Sequence, residues 1–324
     1  MAILKILASA LLMALIASPV LAQTTPYPNK PIKLIVGFAP GGAADYVARN
    51  VGMALGQALG QSIIIENKPG AGSSIAAEQV AKSAPDGYTL LIASPSSISV
   101  NPALNPKLGY KASDFQPVSQ LTSSPLVIAA NPAIGITSVK ELIARAKKNP
   151  GRLNYATSGN GSAPHLGGAL FSQVADIKMT HIPFRGGSLA VQSVIAGDTQ
   201  LTFGTPPSVL PMIQAGRLTG LGISSKERSS LAPGLPGMRE AGLPEFVIDF
   251  WYGFFVPAGT PAPIVQKIFE ATQTAMQQPN IKAALAREGT DVSLSSSPAQ
   301  FSAFLAQDEK FWVNLVKSAN VSVD

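Results

Sequence analysis

The chain has 324 residues, 46% of them hydrophobic and 13% charged, and a formal charge of +6 from 24 basic and 18 acidic residues. That length divides naturally into two domains with sizeable cores, and the absence of cysteine excludes disulfides, thiolate nucleophiles and zinc–thiolate sites. The basic residues are scattered, with Lys147-Lys148 the only adjacent pair; no basic stripe is interleaved with aromatics, so no nucleic acid is expected as a partner, while a mild positive field favours anions.

Residues 1–22 carry the three parts of a secretory signal: Lys5, an apolar run from Ile6 to Ile16, and Val20-Leu21-Ala22 after the Ser18-Pro19 break. The run is too short to span a bilayer. Cleavage is expected after Ala22, and Gln23 stands where a lipoprotein would have cysteine. No later segment is apolar enough to span a membrane, so the expectation is a periplasmic protein that is not membrane-inserted once the signal is removed.

The body then alternates strand and helix. Ile32 to Val36 reads as a strand, Ala43 to Leu59 as a helix with Val47, Val51, Leu55 and Leu59 on one face and Gly60 as its stop. Ser62 to Glu66 is a strand, Ser74 to Lys82 a helix and Tyr88 to Ala93 a strand, an order that implies a parallel sheet with helices on both faces. The pattern restarts near Ser124. Strands are predicted at Leu126–Ala130, Leu153–Thr157, Met179–Phe184, Gln200–Phe203 and Gly220–Ser224. The intervening helices begin with a Ser138/Glu141 capping box and continue at Ala163–Val174, Leu189–Ile195 and Pro207–Gln214. Phe246 to Ile248 and Trp251 to Val256 read as strand and Pro263 to Met276 as helix. A last helix from Pro298 to about Val316 is expected to bury Phe301, Phe304, Leu305, Phe311, Trp312 and Leu315. The fold class is therefore α/β with two parallel-rich sheets flanked by helices and a cleft between two domains. The expected boundaries are 23–123 with 250–297, then 124–249, with the helix at 298–324 packing across both.

Two loops carry the chemistry. Phe38-Ala39-Pro40-Gly41-Gly42 follows the first strand and opens the first helix, so free amides point above the carboxyl end of the sheet and favour an anion. Asp45, in that first turn, either complements the helix dipole or faces ligand or ordered water. Ser158-Gly159-Asn160-Gly161-Ser162 is the matching loop of the second unit, with His165 one turn into its helix as a ligand donor or a structural histidine. Ser94, Ser96 and Ser97 follow the third strand and can face the cleft, Ser94 foremost; Arg185-Gly186 and Thr205 are further candidates to complete the site. Trp251, with Phe38, Phe184, Phe250 and Tyr252, is a candidate wall, whereas Phe203 and His181 read as structural.

Enzyme signatures are missing: there is no G-x-S-x-G elbow, no H-E-x-x-H and no P-loop. With two histidines and no cysteine, neither metal nor cofactor is expected. A rival reading, a hydrolase or transferase acting on a small carboxylate or ester, rests on pairing Ser162 with His165, for which no third orienting group is evident.

Further motifs run through the chain: Tyr27-Pro28-Asn29-Lys30-Pro31-Ile32, Glu66-Asn67-Lys68-Pro69-Gly70-Ala71-Gly72, Ala84-Pro85-Asp86-Gly87-Tyr88-Thr89-Leu90, Leu153-Asn154-Tyr155-Ala156, Trp251-Tyr252-Gly253 and Pro257-Ala258-Gly259-Thr260-Pro261. With the two glycine loops, in this order and spacing, the chain resembles the Bug-type periplasmic receptors of tripartite tricarboxylate transporters. The resemblance implies a two-domain Venus-flytrap fold, no catalysis, a small carboxylate held between the glycine loops, and the transporter's membrane subunits as partners; a ligand sensor that feeds no transporter is the other role open to it. It supports Phe38, Ala39, Gly41, Gly42 and Asp45 in one domain and Ser158, Gly161, Ser162 and His165 in the other. The chain departs from the family pattern at Phe203-Gly204-Thr205 and at Arg185-Gly186-Gly187, where selectivity would reside. Dicarboxylates, tricarboxylates, acidic amino acids and aromatic carboxylates all remain open as ligands.

Overall fold

The computed structural model describes residues 26–105 and 107–318, so the signal reading of residues 1–22 lies outside the described residues. Two sheets organise the chain. In the first, β1 (Ile32–Val36) lies between β2 (Ile63–Asn67) and β3 (Thr89–Ala93), all parallel. Burial on both faces explains its apolar Ile32, Leu34, Ile35 and Val36, with Lys33 exposed. Helix α1 (Ala43–Leu59) buries Val47, Val51, Leu55 and Leu59, and Gly60 ends it in the left-handed region at φ 67°. Helix α2 (Ser74–Ala81) and a short helix α3 (Asn101–Leu104), reached through a wide turn at Ser96–Val100, follow β2 and β3.

The sheet is completed by antiparallel strands that come from farther along the chain. The eleven residues of β4 (Phe115–Pro125) pair with β10 (Asp249–Pro257), and β11 (Asp291–Val292) adds to the edge of β4. Sequence reading missed β4, because Phe115 to Pro125 contains two prolines and six polar positions that mask its apolar alternation. It also extended strand structure to Phe246–Ile248, whereas regular pairing starts at Asp249. Phe246 is nevertheless fully buried, packed on Phe171 and Phe203.

The second sheet has the order β7 (Thr180–Pro183), β6 (Asn154–Thr157), β8 (Leu201–Gly204), β5 (Val127–Ala130), β9 (Thr219–Ile223). Helices α4 (Val139–Lys148), α5 (Ala163–Val174), α6 (Gly187–Ala196) and α7 (Pro206–Gln214) connect it. Ser138 caps α4 by accepting from the Glu141 amide, but the Glu141 carboxylate reaches one residue farther back than a capping box requires, to the amide and hydroxyl of Thr137. The chain leaves the first sheet after Pro125 and returns at Asp249. Ser224 ties the two passages together: its hydroxyl accepts from the Leu126 amide at 2.7 Å and donates to the Ile248 carbonyl at 2.6 Å.

Helices α8 (Ala262–Gln277), α9 (Pro279–Arg287) and α10 (Pro298–Ser318) finish the fold. On α10, Phe301, Trp312 and Leu315 are buried and Phe304 and Leu305 partly so, but Phe311 is 44% exposed. Phe311 precedes Trp312 by 100° of helix rotation, off the inward stripe. Helix α10 packs on the first sheet through Phe301 and reaches α5 where the Ser318 hydroxyl donates to Gln173.

Candidate functional site

The two glycine loops face each other, and the halves of the molecule are closed on one another. The Ala39 amide donates to the Arg185 carbonyl at 3.2 Å and the Ser188 hydroxyl to the Pro40 carbonyl at 3.2 Å. A Cβ at Gly72 would lie 2.2 Å from the Asn160 carbonyl oxygen, and one at Gly161 2.4 Å from Asn101 Oδ1. The closure is thus built on glycines at points where a side chain would hold the halves apart.

Each loop is braced by a side chain four residues on from its glycine. Gly41 donates its amide to Asp45 Oδ2 at 3.0 Å, and Gly161 donates to His165 Nδ1 at 3.1 Å. The Asp45 carboxylate also accepts from Arg49 at 2.8 and 2.9 Å and from Asn67 at 3.0 Å. Burial pushes Asp45 upward, but the hydrogen bonds from Arg49, Gly41 and Asn67 and the Arg49 charge outweigh it and hold the carboxyl below its ordinary range. The expectation that Asp45 faces ligand or water is therefore corrected: its acceptor positions are occupied within its own half of the molecule. With its amide given to Asp45, Gly41 shapes the loop and adds no free donor.

His165 and His181 stack face to face, ring centroids 3.7 Å apart and planes 7° from parallel. His181 Nε2 is 2.6 Å from Thr157 Oγ1, and that hydroxyl accepts from the Gly159 amide. The pair thus holds the second loop at both ends. Burial pushes His165 down to about 4; burial, then the proximity of His165, pushes His181 down to about 3. Both rings are neutral at pH 7, which His165 requires in order to accept at Nδ1. Ser162 Oγ accepts from the His165 backbone amide, and no side-chain bond links that hydroxyl to the imidazole among the described residues. The Ser162–His165 relay of the enzyme reading is not formed.

Between the loops lies an inner cavity of about 20 Å³, lined by Phe38, Gly42, Ala43 and Ala44, by Ser96, Phe250 and Tyr252, and by Ser158, Ser162–Pro164, Gly187 and Thr205. Such a space admits roughly one or two water-sized groups. The N-termini of α1, α5, α6 and α7 converge on it, each presenting the positive end of its dipole. First-turn amides of α1, α5 and α6 have no acceptor within their helices. The Ser96 hydroxyl, fully buried, has no hydrogen-bond partner among the described residues. Among the described residues, no charged side chain lines the cavity.

An outer cavity of about 180 Å³ shares Phe38 and Ser158 with the inner one and opens past Gly37, Gly70–Ser73, Gly159, Asn160 and Pro183–Arg185. Sequence reading preferred Ser94 to Ser96 among the serines after the third strand and left out the loop at Gly70–Ser73. Ser94 takes no part in lining either cavity, because its carbonyl starts the turn at Ser96–Val100 and it is Ser96 that faces inward. Trp251 is turned away as well. Alternation along β10 sends Phe250 and Tyr252 to the cleft and Trp251 to the opposite face, against Phe255, Phe301 and Phe304. Gly186 lines neither cavity, but its backbone at φ 152° brings its half to Ala39.

The Tripartite tricarboxylate transporter family receptor model matches residues 47–321. Protein BugT of Bordetella pertussis is 36% identical over 310 residues, covering 95% of this chain and 94% of its own. Periplasmic binding protein BugD superposes with a TM-score of 0.87 at 30% identity, covering 91% of this chain and 99% of its own. MatC of Rhodopseudomonas palustris, solved with bound malate, gives 0.85 at 31% identity over 90% of this chain and all of its own.

Proposed function

Because the chain belongs to the receptor family of the tripartite tricarboxylate transporters, we propose that it captures a small organic acid by closing its two halves over one carboxylate in the inner cavity. The observation that carries this reading is the convergence of four helix N-termini and the unpartnered Ser96 hydroxyl on a buried space the size of a carboxylate head. The amides of Ala43, Ala44, Ala163 and Gly187 and the hydroxyls of Ser96, Ser158, Ser162 and Thr205 supply the donors. Each charge-assisted bond is worth about 1.5–3 kcal/mol, so a few of them hold a carboxylate without a cation beneath it. Phe38, Phe250 and Tyr252 keep water out and strengthen those bonds. Ala39, Pro40, Gly72 and Gly161 form the seam on which the halves meet.

In this reading the halves are 26–125 with 249–297 and 126–248, shifted from the expected 124–249 because β4 and β10 keep Ser124, Pro125 and Asp249 in the first sheet; α10 packs across them, and the two passages at Leu126 and Ile248 are the hinge. The relatives' periplasmic setting supports export, with the chain cut after Ala22 and working from Gln23. The closed form then marks the loaded receptor for the transporter's membrane subunits, and the protein carries its ligand unchanged.

The test is a thermal-shift series on the mature chain, freed of co-purified ligand by unfolding and refolding. Short organic acids are compared with their amides. An acid at about 100 times its Kd adds about 2.7 kcal/mol of stability, whereas the amide adds none. Equal shifts from acid and amide, or none from any acid, defeat the carboxylate anchor.

A further inference from the structure

We infer that Arg185 receives a second anionic group of the ligand, so that this receptor selects acids with two anionic ends over monocarboxylates and over α-amino acids. The inference rests on the proposed anchoring of one carboxylate in the inner cavity. That cavity is too small for more than the carboxylate head, so the body of the ligand must run past Phe38 and Ser158, the residues common to both spaces, into the outer cavity. Among the described residues, Arg185 is the one charged residue lining either cavity. Its guanidinium takes part in none of the ion pairs among the described residues.

The backbone at Arg185 is fixed where the halves meet. Its carbonyl accepts from Ala39, and the preceding Phe184 amide donates to Thr157 at 2.9 Å. Arg185, an exposed residue, lines the outer cavity in the closed form, and its guanidinium carries a fork of five donors with a shape suited to bidentate pairing with a carboxylate.

The same inventory argues against an ammonium group. Among the described residues no aspartate or glutamate lines either cavity, and the nearby Asp45 carboxylate is occupied by Gly41, Arg49 and Asn67. An α-amino acid would bring its ammonium between the helix N-termini without a partner, an arrangement that burial penalises heavily.

The test is calorimetric titration of the mature, ligand-stripped chain with succinate, glutarate and adipate, each against the monoacid of equal chain length, and with aspartate and glutamate. The best diacid is expected to bind at least about tenfold tighter than its monoacid and than its amino-acid counterpart, the range of one charge-assisted pair. Arg185→Gln is expected to bring the diacid-to-monoacid ratio to within about threefold of one, and Arg185→Lys to restore part of it. Equal binding of mono- and diacids, an unchanged ratio in Arg185→Gln, or an amino acid that binds more tightly than its diacid overturns the assignment of Arg185 while leaving the carboxylate anchor intact. Failure of every acid to bind overturns both.

Discussion

Replacing His181 by glutamine isolates the contribution of a neutral histidine stack to stability. In an unfolded chain each ring titrates near 6.5. In the native protein burial holds His165 at about 4 and, with His165 beside it, His181 at about 3. Below pH 6.5 the unfolded state therefore takes up protons that the native state refuses. Stability from each ring is complete above that pH and is lost as pH falls toward the native value, at about 1.4 kcal/mol per pH unit. Asp308 works with the opposite sign, since burial, only partly offset by bonds from Trp251 and Trp312, raises it to about 6. The absolute pH slope is thus a sum, and the informative quantity is a difference between proteins. Glutamine keeps an amide near Thr157 Oγ1 but does not titrate. Urea denaturation at pH 5.5 and 4.5 should show wild type losing about 1.4 kcal/mol more than His181→Gln over that unit. Parallel pH profiles would mean that His181 is already protonated or already free in the native state, and the account of the stack as the brace of the second loop would fail.

Closure has its own test in Gly72→Ala. The added methyl would sit 2.2 Å from the Asn160 carbonyl oxygen, at a residue with φ 58°, so the halves cannot meet in the same way. Ligand affinity should fall at least about tenfold, because the binding-competent closed form is depopulated, and small-angle scattering at saturating acid should show the more open particle; wild-type affinity would refute the seam. Asp308 accepts from Trp251 Nε1 at 2.8 Å and from Trp312 Nε1 at 3.0 Å, and these are the chain's two tryptophans. Intrinsic fluorescence should therefore titrate with a midpoint near pH 6, an inflection that Asp308→Asn removes; its persistence in the variant would assign the midpoint to another group. Because the ionised form of Asp308 is the disfavoured one, its contribution to stability should decline as pH rises from about 4 to about 6.

The alternation of strands and helices was legible from apolar period and glycine stops, because β1, α1 and α5 bury faces that their own sequences mark. What was hidden depends on partners far along the chain. Strand β4 is polar by composition and becomes a strand through its pairing with β10, more than a hundred residues away. Trp251 looked like a pocket wall beside Phe250 and Tyr252, but a strand alternates, and which phase faces the cleft is set by the helix that covers the other side. Ser94 and Ser96 differ only in where the turn after β3 begins. The braces show the same limit more sharply. Gly41 with Asp45 and Gly161 with His165 share a spacing of four residues, and in both the side chain that looks best suited to a ligand is turned back to hold its own loop's amide. With those two acceptors occupied internally, the inner cavity offers backbone amides at helix starts and hydroxyls, and no carboxylate lines it among the described residues. A cavity of amides, helix N-termini and hydroxyls without an acidic side chain selects for negative charge. It leaves discrimination among acids to the far end of the ligand, where Arg185 stands.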